Sequence, residues 1–213
     1  ILANHGVRIG GTDFDRAISI DRVMPLLGKG TQLRKMIGSG ASPVPNAIFN
    51  DLATWEKIPF LYTPQNRRMA EEMARLAHET QKLSRLANVL ENELGHELAF
   101  AVERGKISAN TGTTESRISL DLIEPNLFCS LPTEVLAGVL APYAKMLRAG
   151  AQETLQIAGL DKTKVGRVIY VGGSSLMSMV SDTMKVDFPD AQHSFTEVFT
   201  AVTDGLAIAS ARV

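Results

Sequence analysis

The chain has 213 residues, long enough for one large domain or two small ones. Hydrophobic residues make up 45% and charged residues 21%, with 22 basic against 23 acidic side chains; that ordinary globular balance, without a basic stripe or charge block, excludes nucleic acid as an expected partner. No apolar run reaches bilayer length and no secretory signal is visible, so no membrane partner is expected either.

The chain opens without methionine on an apolar, strand-like stretch, which reads as an excised piece of a longer protein with its function divided between pieces. Residues 1–9 are expected to form two strands around a tight turn at Asn4-His5-Gly6. Gly10-Gly11 ends them. Thr12 or Asp13 then caps a helix whose apolar positions are Phe14, Ala17, Ile18 and Met24, and Gly28 and Gly30 stop it. Residues 31–65 read as irregular, punctuated by Pro43, Pro45, Pro59 and Pro64, with one short helix over 46–56. Trp55, the single tryptophan, is read as packing.

From Arg67 to about Ala109, apolar residues recur at spacings of three, four or seven: Met69, Met73, Leu76, Leu83, Leu90, Leu94 and Leu98. One or two long helices are expected, with Gly95 and Gly105 as weak points costing about 1 kcal/mol each relative to alanine. Over 115–123, Ile118, Leu120 and Leu122 alternate with Arg117, Ser119 and Asp121, as in a half-buried strand. Residues 127–131 are its hairpin partner across Glu124-Pro125-Asn126. That partner carries Cys129, the only cysteine, read as a small core residue. A lone cysteine excludes a disulfide framework and fits a reducing compartment, the cytoplasm. Pro132-Thr133 opens a long helix that ends at Gly159. Residues 167–171 form an apolar strand, Gly172-Gly173 a tight turn, 174–185 a helix and 195–211 a last helix. The fold class is α/β with a mainly helical α+β insertion.

Three features could carry chemistry. Val7-Arg8-Ile9-Gly10-Gly11-Thr12-Asp13 and Val168-Ile169-Tyr170-Val171-Gly172-Gly173-Ser174-Ser175 are both strand, Gly-Gly, helix joints. A glycine pair lets a ligand approach the backbone, and a helix starting there presents free N–H groups. Neither joint matches the dinucleotide fingerprint or the Walker loop. The third feature is Glu103, Lys106 and Asn110, whose spacings of three and four place carboxylate, ammonium and amide on one helix face. They could address a purine edge and ribose hydroxyls, or form a solvated surface. Asp13 and Asp15 are explained by capping and solvation. His5, His78, His96 and His193 have no ligand spacing, so no metal site is expected, and no catalytic constellation emerges.

These residues carry a resemblance. Gly10-Gly11-Thr12-Asp13-Phe14-Asp15 resembles the Gly-Gly-x-Asp-Phe-Asp motif of the seventy-kilodalton heat-shock chaperones, the DnaK type. Glu103-Arg104-Gly105-Lys106-Ile107 resembles that family's Glu-x-Ala-Lys helix. Leu160-Asp161-Lys162 followed by Val168 to Ser175 is similar to its Leu-Asp and Val-Gly-Gly-Ser-Thr passage. Ala201-Val202-Thr203-Asp204-Gly205-Leu206-Ala207 resembles its Ala-Val-Ala-x-Gly-Ala-Ala ending. All four occur in family order, nearest to divergent YegD-like chaperones.

The resemblance implies the second lobe of an actin-like ATPase (ribonuclease H-like) nucleotide-binding domain. Residues 1–11 and 133–213 would form the core subdomain and 12–132 the insertion. It implies ATP or ADP as ligand, with Mg²⁺ in the full-length protein, and as partners the N-terminal lobe and client or co-chaperone proteins. Glu103 and Lys106 would face adenine, and Asn110 the ribose. Gly172, Gly173, Ser174 and Ser175 would support base and sugar, and Gly10 and Gly11 would approach the phosphates. No ATP hydrolysis is expected from these residues alone, since the family's phosphate loops and water-positioning lysine are not among them. Leu176 stands where the family places an adenine-packing Arg, Phe199 where it has Asp, and Thr12 where it has Glu. Two alternatives stay open: a degenerate interaction module of the same fold, and a small-molecule kinase of the same superfamily.

Overall fold

The computed structural model describes residues 1–35, 39–112, 115–196 and 200–211. It is a mixed α/β structure in which, among the described residues, strands pair two at a time. The chain divides into two units, Thr12–Val139 and Ile1–Gly11 with Leu140–Val213. The second boundary falls inside a helix, where the sequence reading puts it at 132/133.

The Thr12–Val139 unit is built on helices whose apolar stripes face inward. Helix α1 (Gly11–Ile18) buries Phe14 and Ile18. The chain continues through one π turn and one 3₁₀ turn that bury Val23, Met24 and Leu27. Gly28 ends this run with φ 102°, a left-handed conformation that glycine adopts without strain. The helix begins at Gly11, one residue before Thr12 and two before Asp13, the alternative caps expected. A hairpin of β1 (Gln32–Arg34) and β2 (Ala41–Pro43) follows, then α2 (Ala47–Leu52) and a 3₁₀ turn over Trp55–Leu61. The sequence reading leaves β1 and β2 irregular, because three-residue strands show no alternation to read.

The long helical region is three helices: α3 (Pro64–Leu76), α4 (Thr80–Glu91) and α5 (Gly95–Asn110). The expectation of one or two is corrected by local backbone. Thr63 caps α3, its hydroxyl accepting the Asn66 N–H at 3.2 Å, with Pro64 at the first helical position. The first break falls where Ala77 bridges to Leu33, and the second where Glu93 adopts φ 55°. Tyr62 pins the second break: its hydroxyl donates to the Glu93 carbonyl and accepts from the Gly95 N–H, both at 3.0 Å. Strands β3 (Arg117–Ser119) and β4 (Phe128–Ser130) pair antiparallel with Ile118 opposite Cys129, within the expected hairpin. Arg85 of α4 holds the hairpin turn through bonds of 2.6 and 3.1 Å to Glu124.

Gly95 and Gly105 are packing points and not weak points. A Cβ on Gly105 would lie 2.5 Å from Ile118 Cγ1, and one on Gly95 would lie 2.6 Å from Ile58 Cγ2. Absence of a side chain is what lets α5 reach β3 and the Trp55–Leu61 turn.

The other unit contains the latter part of α6 (Thr133–Ala158), which Gly159 ends with φ 64°. Strands β5 (Arg167–Tyr170) and β6 (Gln192–Phe195) pair in parallel, joined by a 3₁₀ turn over Gly173–Leu176 and helix α7 (Ser178–Asp187). The Tyr170 and Phe195 rings stack at 4.6 Å, and Tyr170 Oη meets His193 Nδ1 at 2.6 Å. Helix α8 (Ala201–Ser210) follows. Strand β6 was not expected from the sequence.

The expected strand pair over 1–9 does not form. A strand needs a hydrogen-bonding neighbour, and among the described residues none lies beside this segment. Its alternation survives as packing: Ala3, His5, Val7 and Ile9 are half-buried while Leu2, Asn4, Gly6 and Arg8 are exposed. Val7 packs where a Cβ on Gly150 of α6 would collide with it, and His5 Nδ1 lies 3.7 Å from Glu153.

Candidate functional site

Helix α5 carries Glu103, Lys106 and Asn110, and they do not share one environment. Glu103 is exposed, Asn110 is half-buried and Lys106 is only 7% exposed. The solvated-face alternative therefore fails for Lys106. Its ammonium is 2.8 Å from Asp15 Oδ1 on α1. Asp15 is thus not explained by capping and solvation, which corrects the sequence reading. A buried ammonium needs a carboxylate partner, yet more than ninety residues separate the two, and no periodicity within α5 points across such a distance.

Burial pushes the Asp15 carboxyl above its ordinary value; the hydrogen bond and charge of Lys106 pull it back, and the Glu103 charge adds to the rise. Desolvation wins over pairing at this site.

Beside that ion pair lies a cavity of about 250 Å³. Its apolar lining includes Leu52, Ala53, Trp55, Leu98, Phe100 and Val102, and its polar lining is Thr12, Asp15, Ser19 and Glu103. Trp55 meets the His96 and Phe100 rings edge-on at 4.6 and 5.3 Å. The tryptophan read as packing is also a cavity wall. The sequence reading missed this site because its residues come from three separated stretches.

No protein-family model matches the chain.

The two glycine joints differ from expectation in how they meet helices. Gly11 is the first residue of α1. Gly172 has φ 83°, and a Cβ there would meet open space. That turn leads into a single 3₁₀ turn over Gly173–Leu176, and α7 starts only at Ser178. The expected helix over 174–185 therefore begins later, and Gly172-Gly173 does not sit at an α-helix N-terminus. The Ser175 hydroxyl turns back to the Gly172 carbonyl at 2.7 Å, while Ser174 is exposed. Leu176 is 49% exposed, and Phe199 lies outside the described residues.

Other candidates have structural explanations. Burial pushes the Cys129 thiol up to about 11, so it stays a protonated core residue at neutral pH. Among the described residues, no group of three or more His, Cys, Asp or Glu could hold a metal ion, and no helix is long and apolar enough to cross a membrane.

Proposed function

We propose that this chain is the second lobe of the nucleotide-binding domain of a DnaK-type chaperone ATPase with an actin-like fold, and that it holds the adenosine part of ATP or ADP. The observation that carries the reading is the 2.8 Å ion pair between Asp15 and Lys106. Two of the four sequence motifs, remote in the chain, meet there side chain to side chain. Glu103, exposed on the same helix, keeps a carboxylate for the amino edge of a purine. Gly172 offers open backbone for close approach of a nucleoside. Mg²⁺ would arrive with the phosphates. Client and co-chaperone proteins and an N-terminal lobe remain the partners proposed for the full-length protein, with the cytoplasm as its compartment.

Isothermal titration of the 213-residue chain with ATP and with ADP tests this. Saturable binding without hydrolysis is expected. No heat of binding at about 5 mM nucleotide, corresponding to less than roughly 3 kcal/mol of affinity, overturns it.

One observation favours a second reading, the degenerate interaction module. The Lys106 ammonium is already committed to Asp15, and Leu176 supplies no cation to stack on a base. Nucleotide-independent capture of a defined partner, together with silent ATP and ADP titrations, would favour the module. Robust ATP turnover by the intact protein would remove it.

A further inference from the structure

The cavity between α1, α2 and α5 has a chemical character that the nucleotide reading uses only through Glu103. Its polar lining carries the carboxyl groups of Asp15 and Glu103 and the hydroxyls of Thr12 and Ser19, and no basic side chain lines it among the described residues. Asp15 is matched by Lys106, whereas no cation pairs with Glu103 among the described residues. Arg16, the neighbouring cation on α1, donates to the Thr54 hydroxyl at 3.1 Å and does not line the cavity. Two aromatic side chains line the same cavity. Trp55 and Phe100 meet edge to face and stay 39% and 47% exposed, far more than aromatic side chains whose only role is to fill a core.

A carboxylate that no cation pairs with and aromatic rings lining one cavity attract the same kind of ligand, an organic cation with an apolar body. At about 250 Å³ the cavity falls just short of drug-sized sites, so that ligand is small.

We propose that this cavity is a binding site for a small organic ammonium ligand, its apolar body lying against Trp55, Phe100, Leu98 and Val102 and its charged head paired with Glu103. The proposal goes beyond the nucleotide reading. It needs neither Gly172 nor Asn110, and it can be tested with no nucleotide present.

Trp55 is the only tryptophan, so its fluorescence reports on this cavity alone. The full chain is titrated with 2-phenylethylammonium, with neutral 2-phenylethanol and with anionic 3-phenylpropionate. The expected result is a saturable change with the ammonium, at least about tenfold weaker binding of the alcohol, and none of the anion. Glu103→Gln replaces an exposed side chain and should weaken the ammonium to the level of the alcohol while leaving the alcohol unchanged. No saturable change up to about 10 mM ammonium, equal binding of all three compounds, or a Glu103→Gln variant that binds the ammonium as tightly as the parent would each overturn the proposal. These outcomes are independent of whether ATP or ADP binds.

Discussion

Asp15 and Lys106 are the pair on which most depends. A carboxyl raised by burial favours folding most when protonated. Its contribution is full below the unfolded value of 3.8 and declines as pH rises through the higher folded value. The two side chains are retained as a pair because each would be worse buried alone. Lys106→Met should therefore destabilise the chain by about 3 kcal/mol in urea unfolding, the lower end of the range for buried pairs because Asp15 keeps some solvent contact. In that variant the Asp15 carboxyl should titrate still higher by NMR. Asp15→Leu combined with Lys106→Met should recover much of the loss, since no charge is then left buried alone. A double variant no better than the worse single variant would show that the pair is not the source of the effect.

Among elements, α5 is the one whose sequence misleads. Gly105 inside a helix reads as a defect, and alanine there would gain about 1 kcal/mol of helix propensity. Packing reverses the sign: the added Cβ meets Ile118 at 2.5 Å, and Ile118 is fully buried. Overpacking of this kind costs about 1–3 kcal/mol, so Gly105→Ala should lower the unfolding midpoint. An unchanged or higher midpoint would show that α5 can shift away from β3. The Arg85–Glu124 link between α4 and the β3–β4 turn has its own pH signature. The hydrogen bond from Arg85 and then its charge hold the Glu124 carboxyl below its ordinary value of 4.5. The link therefore stabilises the fold above that pH, and the contribution is lost as pH falls through the lower folded value. Glu124→Gln should reduce Tm at pH 7, and the difference from the parent should close in acid. A gap independent of pH would assign the effect to packing.

For the molecule as a whole, burial is uneven. In the Thr12–Val139 unit, large side chains from α1, α4, α5 and β3 are fully buried. In the other unit, Ile169, Val171 and Phe195 near the two-stranded parallel sheet are about half exposed, and every described side chain of α8 from Thr203 onward is exposed. Parallel sheets are ordinarily covered on both faces, and two strands alone are marginal. Amide exchange should follow this contrast: α8 should exchange orders of magnitude faster than the buried face of α5. Equal protection of the two helices would mean that α8 is covered in solution.

The amphipathic spacing of α3, α4 and α6, the β3–β4 hairpin and the strand β5 were legible in the sequence because each follows from local periodicity. The Gly-Gly joints and the Glu103, Lys106, Asn110 face were legible as candidates for the same reason. Tertiary structure alone decided that Lys106 turns inward to Asp15, that Trp55 walls a cavity, that Gly105 is required, and that residues 1–9 pack on α6 without pairing. Each of these depends on a partner far away in the chain, and a pattern of neighbours carries no information about which distant side chain fills the space beside it.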